Sequence, residues 1–241
     1  MKSGGVDAVR EVVERLCGAG VLLEANEVGY ALFPRKVEVF GYKVVGWLGI
    51  NRYAVVIAVK GGKRYMLKTT GKVFSYLRRG AVPGSFEADP AVLRELKEEF
   101  SVLSRLRHPN IVRVCDFIEL PAVVLEFCPY GSPKSYVEAR GVLSVKQALE
   151  TIIPILDALA YMHEVYLVHR DVRPGNILVG EGFVPKLGGF TAFRRDMLPF
   201  FVRFTPGFSA PEVIEGMIYG VSDVFSAAAT FYWLESKRLP Y

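Results

Sequence analysis

The sequence predicts an α+β fold of two lobes: a small five-stranded antiparallel sheet carrying one helix, then a larger, mainly helical lobe. Three observations carry that expectation. Five short apolar runs with strand character lie between residues 40 and 127, at 42–48, 54–60, 64–69, 112–118 and 122–127. A single stretch among them has helical periodicity, with Leu93, Leu96, Phe100, Leu103 and Leu106 along one face. From Pro129 onward the pattern turns mostly helical. The expected organisation is a helix-and-hairpin extension over 1–39, the small lobe with its hinge over 40–128, and the large lobe over 129–241.

Each element has a local cause. Val9, Val12, Val13 and Leu16 are spaced for an amphipathic helix, and runs at 21–23 and 30–33 flank the turn-prone Asn26. This extension reads as packing for the next domain, although a helix plus hairpin also fits a fragment of a winged-helix DNA reader. Gly61 and Gly62 form a turn between the second and third strands of the small lobe. Asp89 and Pro90 suit the N-cap and first position of the helix, which should stop before Pro109. Ser144 with Gln147 makes a capping box for a helix to about His163, with a kink expected at Pro154 because proline lacks a backbone donor. A loop-rich stretch over 188–211 precedes a very apolar helix over 223–233.

Composition narrows the function classes. With 51% apolar residues, the 241-residue chain can bury one large core or two small ones. The net charge of +5 is spread along the chain, which suits anions such as nucleotides better than a nucleic-acid groove. No apolar run reaches the ~18 residues of a membrane span. Asp7, Arg10, Glu11, Glu14 and Arg15 are incompatible with a signal-peptide core, so a cytoplasmic protein is expected. Cys17, Cys115 and Cys128 form no CxxC and read as reduced residues in or near the core. One glutamine and four asparagines are few for this length, which points to a thermophilic source.

The chemistry-bearing residues fall in ordered segments. His169-Arg170-Asp171-Val172-Arg173-Pro174-Gly175-Asn176 follows the long helix. Tyr65-Met66-Leu67-Lys68 lies on the third strand of the small lobe, and Glu99 lies on its helix, nine residues before His108-Pro109-Asn110-Ile111. Thr205-Pro206-Gly207-Phe208 and Ala210-Pro211-Glu212 come later at matching distance. In this order and spacing the chain resembles the protein kinases, of the serine/threonine type, over roughly residues 40–241. The resemblance implies a two-lobe kinase fold that binds ATP in the cleft between lobes. Lys68 would grip the α- and β-phosphates and pair with Glu99. Asp171 would orient the attacking hydroxyl and accept its proton, and Asn176 would ligate magnesium or manganese. Arg173 stands where serine/threonine kinases usually carry lysine, and keeps a positive charge with a planar head.

The remaining nucleotide contacts follow from the same resemblance. Leu48, Gly49, Asn51 and Ala54 occupy the glycine-rich loop, of which only Gly49 remains a glycine. Tyr53 stands at the tip of that loop. Val56 and Leu178 would sandwich adenine, and the Glu126 carbonyl and Cys128 amide would bond its edge, with Leu125 behind as gatekeeper. Met66 replaces the small alanine usual above the base.

One residue departs decisively. Eighteen positions after Asp171, where the family carries its metal-binding aspartate, the chain reads Gly189-Phe190-Thr191. Glycine offers magnesium no side-chain oxygen. The sequence therefore supports an ATP-binding kinase-like domain whose transfer to protein serine or threonine is weak or absent. A non-catalytic pseudokinase, acting as scaffold or allosteric partner, is the alternative. Phe190 is expected to stack with His169, Leu103 and Val114. The resemblance breaks off at Leu239-Pro240-Tyr241, so the large lobe is expected to lack its last helices, and a protein partner is expected over the helix at 223–233. Residues 192–204 contain no serine, threonine or tyrosine. Incubation with an active kinase should therefore leave no phosphate there by mass spectrometry, and a phosphorylated residue in that stretch would contradict this reading.

Overall fold

The computed structural model describes residues 21–26, 29–34, 38–50, 53–70, 90–118, 122–189, 193–194 and 204–240. The expected helix over 6–16 and N-cap at Asp89 lie outside them, as do Asn51 and Phe190. The chain divides into two compact units, Met1–Phe100 with Val114–Phe127, and Ser101–Arg113 with Cys128–Tyr241.

In the first unit, β1 (Val21–Asn26) and β2 (Gly29–Pro34) pair as an antiparallel hairpin. The main sheet has six strands rather than five, in the order β3-β4-β5-β6-β8-β7. They are β3 (Glu38–Val39), β4 (Tyr42–Ile50), β5 (Tyr53–Lys60), β6 (Lys63–Thr70), β7 (Val114–Ile118) and β8 (Ala122–Glu126). The additional strand arises because Phe40 and Gly41, both at positive φ, turn the chain tightly enough for Val39 to pair with Tyr42. Val39 is thereby buried, which a two-residue run in the sequence could not signal.

Pairing assigns each strand its faces, since directly opposed residues share a side of the sheet. Val56 opposes Leu67, whereas Val55 opposes Lys68 and Ile57 opposes Met66. Ala54, Val56, Ala58 and Leu67 thus join Val39, Tyr42, Val44, Ile118, Ala122 and Val124 in one buried cluster. The opposite face carries Tyr53, Val55, Ile57, Met66 and Lys68. Helix α1 (Pro90–Leu103) buries Leu96, and the Phe100 ring meets Phe117 at 5.5 Å.

Tyr42 supplies an alkaline limit to stability. Its ring lies edge-on to Tyr65 at 5.6 Å, and its hydroxyl donates to Asp116 Oδ2 at 3.5 Å. Burial, then the Asp116 carboxylate, push the phenol from 10.0 up to about 12. The folded value exceeds the unfolded one, so the contribution is complete below pH 10 and is lost as the pH climbs through about 12. Tyr42→Phe should flatten that alkaline limb in a denaturation series across this range; an unchanged limb would place the titration elsewhere.

The second unit is built on α2 (Pro133–Arg140), α3 (Val145–Glu164), α4 (Pro211–Ile214) and α5 (Gly220–Ser236). Ser132, followed by Pro133, caps α2 by accepting from the Ser135 amide at 3.2 Å. The expected capping box of α3 is present in both directions between Ser144 and Gln147, at 3.3 and 3.0 Å. The helix continues through Pro154 to Glu164 and buries Ala148, Ile152, Ile155, Leu159 and Met162 on one side. Each fully buried side chain of leucine or isoleucine size contributes about 1.5–3 kcal/mol.

Helix α5 starts three residues before the expected position. Small and polar residues, Ser222, Asp223, Ser226, Ala227 and Thr230, are buried, while Val221, Val224, Phe225 and Tyr232 are exposed. Asp223 must be inside for a reason given below, and the helix phase then turns the larger apolar residues outward. Four short strands complete the unit: β9 (Leu167–Val168) pairs with β12 (Phe193–Arg194), and β10 (Ile177–Val179) with β11 (Pro185–Leu187). The His108–Val112 stretch joins β11, with Leu187 N donating to Asn110 O at 2.7 Å and Val112 N donating to Leu187 O at 2.9 Å.

Candidate functional site

In the first unit, β6 directs Lys68 toward α1. Its ammonium meets Glu99 Oε2 at 2.5 Å, with the two side chains only 11% and 9% exposed. The ammonium also lies 4.7 Å from the centre of the Tyr53 ring. A sequestered pair of this kind is unlike an exposed ion pair, because water screens it poorly. Met66, two residues earlier, is buried on the same face. Leu125, opposite Met66, is half-buried.

Not every expected nucleotide contact comes to that face. Ala54 and Val56 point to the buried cluster on the other side. The residues of β5 that accompany Lys68 are Tyr53, Val55 and Ile57. The reason is the unbroken β5–β6 register, which opposes Val55 and not Val56 to Lys68; β4, by contrast, pairs irregularly with β5 between Val44 and Gly46 and between Trp47 and Gly49. Leu48 is exposed beside the second irregularity, and Gly49 opposes Val55. Glu126 ends β8 opposite Tyr65.

In the second unit, α3 and β9 deliver the segment from His169 to Asn176, and Asp223 of α5 holds its backbone. Asp223 Oδ2 accepts from His169 N and Oδ1 from Arg170 N, each at 2.8 Å. Oδ2 also meets His163 Nε2 at 2.9 Å. These bonds explain an almost wholly buried carboxylate in an apolar helix. His169 is fully buried; its Nδ1 accepts from Asp171 N at 3.3 Å, so Nε2 carries the proton and donates to Gly188 O at 3.0 Å.

Asp171 sits in a closed set of donors. Arg173 Nε lies 3.2 Å from both carboxylate oxygens, Asn176 Nδ2 donates to Oδ2 at 2.7 Å, and Thr205 Oγ1 donates to Oδ1 at 2.9 Å. Burial pushes the Asp171 carboxyl up, but the Arg173 charge and the Thr205 and Asn176 hydrogen bonds outweigh it and hold the group below 3.8. Asp171 is therefore ionised at neutral pH. The contact from Thr205 was missed in the sequence, where only the motif around it was recognised. Glu212 also has a partner within the chain, since Ser222 Oγ donates to its Oε1 at 2.6 Å.

Elsewhere in the second unit, Cys128 is buried and Leu178 opposes Lys186 in the β10–β11 pair. Gly189 has φ +68, and a Cβ there would fall 2.3 Å from both Cγ and Oδ1 of Asn176. Among the described residues, no group of three or more histidine, cysteine, aspartate or glutamate side chains could hold a metal ion. No described helix is long and apolar enough to cross a membrane.

The sequence comparisons agree with the arrangement. The protein kinase domain family matches residues 84–241. The probable serine/threonine-protein kinase fhkD of Dictyostelium discoideum is 27% identical over 83% of this chain and 29% of its own length. Calcium/calmodulin-dependent protein kinase type IV of Rattus norvegicus is 31% identical over 73% of this chain and 42% of its own. Serine/threonine protein kinase OSK3 of Oryza sativa subsp. indica is 31% identical over 60% and 30%. The chain thus spans less than half the length of these curated relatives. A kinase-like α+β fold, the ordered kinase segments and the family match lead to one conclusion: this chain belongs to the protein kinase family.

Proposed function

We propose that the chain binds ATP, with Lys68, Glu99, Met66 and the Glu126–Cys128 segment among its contacts, and that its phosphoryl transfer to protein serine or threonine is weak or absent. The observation that carries this reading is the donor set around Asp171. Kinases in general use ATP with magnesium, which requires side-chain oxygens in near-octahedral array. Here Gly189 supplies none, and the Asn176 side chain, with Nδ2 bonded to Asp171, has its Oδ1 turned into the space that a Cβ on residue 189 would fill. These residues do not suit a magnesium ion. Asp171, Arg173 and Lys68 remain for positioning a hydroxyl and holding phosphate oxygens. Without metal neutralisation, transfer should be slower by roughly a hundredfold or more.

The test is a thermal shift with ATP alone, then with magnesium or manganese added. ATP near 100 times its Kd should raise Tm by about 5 °C, with little further gain from metal. No shift in any condition would overturn the nucleotide-binding reading. A large metal-dependent shift, with rapid radiolabelled transfer abolished by Asp171→Asn, would overturn the weak-metal reading. The pseudokinase reading is favoured by one feature, the exposed Val145, Leu149, Ile153 and Leu156 along α3, which suit a protein partner. It predicts that ATP changes nothing. Cytoplasmic residence and a thermophilic source belong to the same proposal, and the second predicts a Tm above about 60 °C.

A further inference from the structure

Gly189 does more than lack a carboxylate. The backbone beside it is held from two sides: Gly188 N donates to Asn176 O at 2.8 Å, and Gly188 O accepts from His169 Nε2 at 3.0 Å. The Asn176 side chain is held as well, its Nδ2 lying 2.7 Å from both the carbonyl oxygen and Oδ2 of Asp171. A Cβ on residue 189 would fall 2.3 Å from the side-chain Cγ of Asn176 and 2.8 Å from its Nδ2. Non-bonded carbons settle at about 3.5–4 Å, so both groups cannot occupy these positions. With the backbone fastened at Gly188, the side chain that must move is the amide of Asn176.

We infer that the absence of a side chain at position 189 sets the direction of Asn176, making its amide a positioning group for Asp171 instead of a metal ligand. Any larger residue at 189 expels that amide from Asp171 and moves Oδ1 out of the space beside residue 189. Gly189 and Asn176 therefore act as one unit, and the two family metal positions are lost together through a single missing Cβ. The inference deepens the weak-metal reading above and rests on it only where metal is concerned.

A four-member cycle tests it: the native chain, Gly189→Ala, Asn176→Ala and the double variant, each followed by thermal unfolding without nucleotide. Gly189→Ala alone should lower Tm by about 5–10 °C. In the Asn176→Ala background most of that loss should vanish, leaving the smaller cost of a β-carbon at φ +68. Equal losses in both backgrounds would overturn the inference. If Gly189→Ala does not fold while the double variant does, the same coupling is seen in stronger form.

Manganese alone, followed by its electron paramagnetic resonance signal, gives the second readout. Asn176→Ala should leave Mn2+ binding by the native chain unchanged. Gly189→Asp should raise Mn2+ affinity at least about tenfold, and adding Asn176→Ala should then remove a large part of the gain. Loss of Mn2+ binding on Asn176→Ala alone would show that Asn176 already ligates metal, and would overturn the inference. The thermal cycle uses neither ATP nor metal, so its failure leaves nucleotide binding standing. A missing ATP shift, conversely, leaves the cycle intact.

Discussion

Asp223→Ala is expected to destabilise the second unit by about 3–5 kcal/mol, a large part of the stability of a domain this size. The carboxylate is 1% exposed and accepts from the His169 and Arg170 amides at 2.8 Å and from His163 at 2.9 Å. Removing it strands two buried backbone donors, at about 1–3 kcal/mol for each unsatisfied group. The consequence reaches the site, because these amides immediately precede Asp171. Urea unfolding of Asp223→Ala measures the loss, and Asp223→Asn, which keeps one acceptor oxygen, should fall between it and the native chain. A loss below about 1 kcal/mol would mean that the segment is held by other contacts.

Lys68→Met is the second large effect, and it separates stability from ligand binding. Met approximates the lysine stem but leaves the Glu99 carboxylate, 9% exposed, without the ammonium now 2.5 Å away. Breaking one side of such a pair costs about 3–5 kcal/mol, whereas removing both partners is often nearly neutral. Lys68→Met should thus be strongly destabilised in urea, and Lys68→Met/Glu99→Leu should recover most of the loss. The ATP shift, by contrast, should be absent from both variants, because recovered packing restores no cation for phosphate. An ATP shift retained by the stable double variant would remove Lys68 from the proposed nucleotide contacts. Failure of the double variant to recover stability would mean that the pair is not what holds α1 to β6.

Much of this protein is written locally. The helix with Glu99, the capping box of α3, the positions of five strands and the ordered segment around Asp171 follow from periodicity, capping chemistry and motif spacing, all of which act over a few residues. What remained hidden depends on distant parts of the chain. Val56 lies away from Lys68 because the β5–β6 register opposes Val55 to Lys68, and alternation alone cannot say which register two strands adopt. The kinase resemblance casts Asp223 as the brace of the backbone around Asp171, whereas helical periodicity alone does not, since its partners are amides more than fifty residues earlier. The sequence alone determined that Gly189 offers no oxygen. Only the tertiary structure decided that the Asn176 amide stands against it, because a side chain's direction is chosen by the space and hydrogen-bond partners that folding brings together.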